Sequence, residues 1–214
     1  MEFIPHWTTL GAYTIAAVVL ALTPGPDMTF FLAQSVSNGR RCGFAALAGA
    51  STGLVIHSVA VAAGLAALLV AAPTLFNLLK WVGAAYLAFL AFNVLRHGSG
   101  MDGLRMTAAK ATVRRAYIKA LWINLLNPKI IVFFVTFLPQ FVSPGDPHAA
   151  SKLLFLGLWF MIVSVPVLIP LILMADRLAL WLKSSRRAMR IFDWVFAGVM
   201  GAFAVRLLAA RPPV

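Results

Sequence analysis

The chain has 214 residues, of which 62% are hydrophobic and 11% charged, with a mean hydropathy of +0.91; a soluble domain is nearer half apolar and a quarter charged, so water is excluded as the solvent for most of this surface. Eighteen Lys and Arg against six Asp and Glu give a net charge of +12, but these cations fall between apolar segments and not on one basic and aromatic face, which excludes a nucleic-acid partner. The single cysteine, Cys42, excludes an intramolecular disulfide and a CxxC redox pair.

A membrane span needs roughly 20 mostly apolar residues. Six apolar segments meet that need, at about 9–33, 43–70, 73–95, 117–138, 152–175 and 190–209. The expected architecture is therefore all-α, a polytopic membrane protein of six transmembrane helices in a single domain, 1–214. The first segment is too long for the apolar region of a signal peptide, and Met1-Glu2 lacks a basic leader, so it reads as a retained first span. Segments two and three are separated by a tight turn at Ala72-Pro73, which makes them antiparallel neighbours. In the fifth, Ser164-Val165-Pro166 and Pro170 predict a kink.

Orientation follows from the cations. The connections after spans 1, 3 and 5 carry Arg40 and Arg41; Arg96, Arg105, Lys110, Arg114, Arg115 and Lys119; and Arg177, Lys183, Arg186, Arg187 and Arg190. Thirteen of the 18 cations thus lie on one side, against Lys80, Lys152, Arg206 and Arg211 on the other. The richer side is expected to be cytoplasmic, with both termini outside. Two sets of three spans begin on opposite sides, so any repeat between them, about 1–98 and about 115–214, is of inverted topology. A weak repeat is present. Leu22-Thr23-Pro24-Gly25-Pro26-Asp27 precedes Phe30-Phe31 in span 1, and Leu126-Asn127-Pro128-Lys129 precedes Phe133-Phe134 in span 4. Paired helix interruptions in two inverted halves point to a transporter binding site.

Proline removes a helical hydrogen bond and clashes with the preceding turn. Pro24-Gly25-Pro26 and Pro128 therefore free backbone carbonyls, and in hydrocarbon those groups must face protein or a wet cavity. Asp27 and Lys129 follow the two breaks, and a charge inside a span marks a functional site. Asp27 is expected to bind a substrate amine or a coupling proton, and Lys129 a carboxylate or Asp27 itself. The alternative is a structural Asp27–Lys129 ion pair that holds the broken helices together. Asn124 and Asn127 lie within a turn of Lys129, and Asn127 also suits the cap of the second half-helix.

Thr23-Pro24-Gly25-Pro26-Asp27, Asn127-Pro128-Lys129 and Leu138-Pro139-Gln140-Phe141 resemble the LysE-type translocators. The RhtB branch, exporters of homoserine, threonine and related neutral amino acids, is the nearest in pattern. Gly49 and Gly53 fit a glycine-rich second helix, and Gly83-Ala84-Ala85-Tyr86-Leu87 fits the third; these glycines are expected at helix contacts. Ala91 and Ala120 stand where the resemblance leads to glycine. The resemblance spans the whole chain. It implies export of an amino acid such as homoserine, threonine or leucine from the cytoplasm, driven by proton antiport across a bacterial inner membrane. It implies no cofactor and no catalytic residue. The expected partners are the amino acid, membrane lipid and, as an assembly to be considered, a second copy in a homodimer. Export of a cation or another small metabolite is the alternative, since distant relatives carry cations. Against it, the spans hold no second carboxylate apart from Asp193, and a divalent site needs several ligands.

Gly49-Ala50-Ser51-Thr52-Gly53 matches the G-x-S-x-G nucleophile pattern, but that motif needs a strand-to-helix elbow and a histidine placed to activate the serine. Here it lies inside a helix, where small residues four apart let helices approach closely. His57 reads as a histidine bonded to a neighbouring helix, with a proton relay as the alternative.

Overall fold

The computed structural model describes residues 5–23, 25–65, 73–97, 110–142, 146–175, 177 and 186–209. Of the residues singled out above, Met1, Glu2, Pro24, Ala72, Arg105, Lys183 and Arg211 lie outside them. The described residues form helices and no strand: α1 (Trp7–Leu22), α2 (Pro26–Asn38), α3 (Arg40–Ala60, prolonged by a π turn at Val61–Leu65), α4 (Pro73–His97), α5 (Val113–Leu125), α6 (Pro128–Val132), α7 (Ala149–Leu173) and α8 (Arg186–Ala209). A π turn at Phe133–Phe137 and a 3-10 turn at Leu138–Phe141 extend α6.

Helix starts follow the prolines. Pro26 and Pro128 open α2 and α6, where the missing N–H is no loss and the fixed φ suits the first turn. Both expected interruptions are present: α1 and α2 meet at 52°, and α5 meets α6 and its extension at 48°. Each apolar segment read as one broken span is thus a pair of half-helices. Gly39 has φ +82°, a left-handed conformation that glycine adopts without strain. It lets α2 end and α3 begin with no intervening loop. By contrast, α7 continues as one helix through both Pro166 and Pro170.

The bundle is built around α3, which packs against α2, α5 and α7; α1 lies on α7, and α4 lies on α8. Glycines set the closest approaches. A Cβ on Gly49 would stand 2.1 Å from the Tyr117 carbonyl oxygen of α5, and one on Gly83 of α4 would stand 2.3 Å from the Thr136 methyl. Ala120 is buried with Ala46, Leu47 and Ala50, so alanine there still permits close packing of α3 on α5. Polar ties join α1 to α7: Tyr13 donates to the Leu156 carbonyl at 3.0 Å and Trp159 to Thr14 at 2.9 Å. Around Tyr13 an aromatic core gathers Phe133, Phe137, Phe141, Phe160 and Phe203. The π turn supplies Phe133 and Phe137 to this core and Phe134 beside it, all three fully buried.

The outside is apolar too. Trp7, Ile15, Val82, Phe89, Phe92, Ile162, Val195 and Val205 are exposed, a distribution that suits lipid and would drive aggregation in water. Among the described residues two helices, Arg40–Gly64 and Ala149–Leu173, are long and apolar enough to cross a membrane; counting each bent pair as one span gives four. Shorter apolar stretches at Trp81–Arg96 and Asp193–Val205 lie in α4 and α8.

Candidate functional site

The two breaks face each other. Asp27 lies in the first turn of α2, where a helix N-terminus favours negative charge. Its Oδ2 accepts from the side-chain amides of Asn124, at 3.0 Å, and Asn127, at 2.7 Å. Asn127 also caps α6, its Oδ1 accepting from the Lys129 backbone N–H at 3.0 Å. One residue therefore finishes its own helix and holds the carboxylate of the other half.

Lys129 is buried, and its ammonium donates to the carbonyls of Thr23, at 2.9 Å, and Leu20, at 3.4 Å. Both lie at the end of α1, where carbonyls run short of helical donors; the Leu20 carbonyl also accepts from the Thr23 backbone N–H at 3.2 Å. A cation at a helix C-terminus also meets the favourable end of its dipole. Gly25 makes room for it, since a Cβ there would stand 3.1 Å from Nζ. Among the described residues no direct ion pair joins Lys129 to Asp27; the two charges act on each other across the site. The structural ion pair envisaged above is thus replaced by two separate sets of hydrogen bonds.

His57 on α3 donates through Nε2 to the Asn124 carbonyl at 3.3 Å, because a carbonyl only accepts and that nitrogen must carry the proton. Its ring packs on Phe134, with centroids 5.6 Å apart. Gly53 lies against the same asparagine: a Cβ would stand 2.4 Å from Asn124 Oδ1. Ser51, of the nucleophile-like motif, donates to its own helix at the Leu47 carbonyl, 2.9 Å away, with no histidine bonded to it.

Between the breaks lies a cavity of about 50 Å³, lined on its polar side by Thr23, Asp27, Ser51, Asn124, Lys129 and Ser164. That is room for a few water molecules. Phe31, Leu47, Phe160, Val165 and Leu168 supply the apolar wall. Four buried side-chain atoms among the described residues have no hydrogen-bond partner: Asp27 Oδ1, Asn124 Oδ1, Ser164 Oγ and Ser35 Oγ. The first three belong to residues of this one cavity. A buried polar atom left unpaired is costly, so three in one place are groups awaiting a partner.

The residues named from sequence at the two motifs, Asp27, Asn124, Asn127 and Lys129, stand together here. Gly49 and Gly83 serve helix packing away from the cavity, and Gly53 touches it through Asn124. Sequence reasoning missed the Leu20 and Thr23 carbonyls as partners of Lys129, although the Pro-Gly-Pro break signalled free carbonyls. It also missed Ser164, visible only as the residue two before Pro166. Among the described residues no three of His, Cys, Asp and Glu come together as a metal site would require.

A polytopic helical bundle with two facing broken helices and a charged cavity between them is the arrangement of a transporter. The family model of the LysE type translocators matches residues 18–211. The chain belongs to that family. It is 34% identical over 200 residues to the homoserine/homoserine lactone efflux protein of Salmonella typhimurium, covering 94% of this chain and 96% of that one. It is 30% identical over 202 residues to the leucine efflux protein of the same organism, covering 94% and 93%. An uncharacterised membrane protein of Pseudomonas aeruginosa is 37% identical over 184 residues, covering 84% and 85%. No solved structure matches.

Proposed function

We propose that this chain exports a neutral amino acid from the cytoplasm by proton antiport, with the cavity between the breaks as the substrate site. The observation that carries the reading is the pairing of unpartnered acceptors with a buried cation in one small cavity. A zwitterion offers an ammonium to Asp27 Oδ1 and Asn124 Oδ1, and a carboxylate to Lys129. An ammonium has three donors, and Lys129 uses two of them on backbone. The apolar wall of Phe31, Leu47, Phe160 and Leu168 receives an uncharged side chain. The relatives' names, homoserine and leucine efflux, agree with that chemistry. Asp27 takes the coupling proton when the substrate amine leaves.

The same reading places the chain in a bacterial inner membrane as six spans, with α4 and α8 as the third and sixth and both termini outside. Two inverted halves, about 1–98 and about 115–214, are supported by the packing. The second helix of the first half, α3, lies on α5, and the second helix of the other half, α7, lies on α1. Those are equivalent contacts under a two-fold axis in the membrane plane. An impermeant thiol reagent on intact cells checks the orientation: a cysteine placed at Val214 is labelled, and one at Gly103 is not.

Export itself is tested with Asp27→Asn. Asparagine keeps an oxygen to accept from Asn124 and Asn127, so the protein inserts at wild-type abundance. Export of homoserine, threonine or leucine from cells falls to background, because the carboxylate can no longer alternate between proton and amine. Undiminished gradient-driven export by this variant would remove the role assigned to Asp27.

A further inference from the structure

Hydroxyl groups on apolar helices ordinarily bond back to the carbonyl four residues earlier. Thr14, Thr23, Ser51, Thr52, Ser58 and Thr136 all do so here, at 2.6 to 3.1 Å. Ser164 does not. Its side chain is 3% exposed, its Oγ has no partner, and it lines the cavity. The other residues that α7 contributes to the lining are Phe160, Val165 and Leu168, so Ser164 is the polar group on an otherwise apolar helix face. Ser51 lines the same cavity but is already spent on Leu47. Asp27, Asn124 and Lys129 account for the ammonium and carboxylate of a zwitterion, and none of them reads its side chain.

We propose that Ser164 is the residue that selects the substrate side chain, its buried hydroxyl hydrogen-bonding a hydroxyl on the exported amino acid. The inference rests on the amino-acid reading above and sharpens it to short hydroxylated neutral amino acids, in preference to aliphatic ones of the same shape. The physical basis is asymmetric. A site that offers a buried hydrogen-bonding group rejects the analogue that cannot satisfy it more strongly than an apolar site rejects an added hydroxyl. An aliphatic substrate seated here displaces whatever water meets Ser164 and leaves the hydroxyl bare.

The test uses two isosteric pairs in which a methyl replaces the hydroxyl: homoserine against norvaline, and threonine against valine. Initial export rates are measured from preloaded cells expressing the full chain, with abundance matched. Wild type prefers the hydroxylated member of each pair by about tenfold or more. Ser164→Ala brings the ratio close to one, homoserine export falling and norvaline export rising. Ser164→Thr, which keeps a hydroxyl, restores the preference. A merely structural serine would lower both rates together and leave the ratio intact. An unchanged ratio in Ser164→Ala, or a wild type without preference, overturns the assignment while leaving amino-acid export standing. A wild type that exports none of the four, nor leucine, overturns both.

Discussion

The two broken helices divide the work unequally. The first break is bare: Gly25 has no side chain to cap α2, and the end of α1 offers the carbonyls of Leu20 and Thr23. The second is self-sufficient, since Asn127 caps α6. Among the described residues every hydrogen bond between the two break motifs runs the same way, with the second motif donating and the first accepting. Asn124 and Asn127 donate to Asp27, and Lys129 to the two carbonyls. The two break motifs have therefore taken opposite chemical roles. One break presents negative and acceptor groups and the other positive and donor groups, the complementarity that the proposed zwitterion site uses.

The most severe way to break that comparison is to remove the donor on which the first break depends. Lys129→Met leaves the buried Thr23 carbonyl without a partner, the Leu20 carbonyl with only the Thr23 N–H, and Asp27 without a nearby cation. Each unmet buried group costs about 1–3 kcal/mol, so the variant is expected to lose most of its folded protein. The measurement is abundance in the membrane and thermal unfolding in detergent. Asp27→Asn added to Lys129→Met sharpens the result. If the lysine serves the carbonyls, as the geometry has it, the double variant stays nearly as unstable as Lys129→Met alone. Recovery of wild-type abundance would mean instead that an Asp27–Lys129 pair holds the site, since only directly coupled residues depart strongly from additivity.

A milder pair of changes separates packing from site. At Gly49 a new methyl meets the backbone of α5, at the Tyr117 carbonyl and, 3.2 Å away, the Leu121 nitrogen. Backbone cannot step aside, so Gly49→Ala is expected to cost about 1–3 kcal/mol through separation of α3 and α5. At Gly53 the atoms nearest the methyl all belong to the Asn124 side chain, which can rotate away. Gly53→Ala should keep more folded protein than Gly49→Ala yet export less per molecule, because Asn124 leaves Asp27. The reverse ordering would show that Asn124 is not needed where it stands.

These contrasts also show why some of the molecule was legible in the sequence. Hydropathy and proline are local signals, and they placed the apolar segments and both breaks close to where the half-helices end. The charges at Asp27 and Lys129 stood out because a charge in an apolar run is rare. Their pairing was not legible. Lys129 reaches Thr23 across more than a hundred residues, and a lysine chooses between a carboxylate and two carbonyls by side-chain geometry that no spacing encodes. The π turns at 61–65 and 133–137 were invisible because their residues are as apolar as any helix interior. Ser164 was invisible for a different reason: a serine with a bonded hydroxyl and one without read the same. The prolines of α7, read as a kink, lie within one continuous helix, unlike those at the two breaks.

The smallest expected effect calibrates the others, because it uses the same two residue types where water can reach them. Asp146, in the turn before α7, accepts from the Lys152 ammonium and, at 2.8 Å, from the His148 backbone N–H. The lysine hydrogen bond, with the His148 N–H second, holds this carboxyl below its ordinary value of 3.8. A carboxyl with a depressed value in the fold stabilises it above that ordinary value, and the contribution fades as pH falls through the folded-state value. At pH 7 it is fully present, yet solvent screening and side-chain entropy keep a partly exposed pair of this kind to about 1 kcal/mol or less. Asp146→Asn should therefore lower thermal stability in detergent slightly at neutral pH, and the gap from wild type should close in strong acid. Export should be unchanged, since Asp146 lies outside the cavity. A loss as large as that of Lys129→Met would mean that an aspartate and a lysine are worth as much at the rim as between the breaks, and the contrast between site and surface would fall with it.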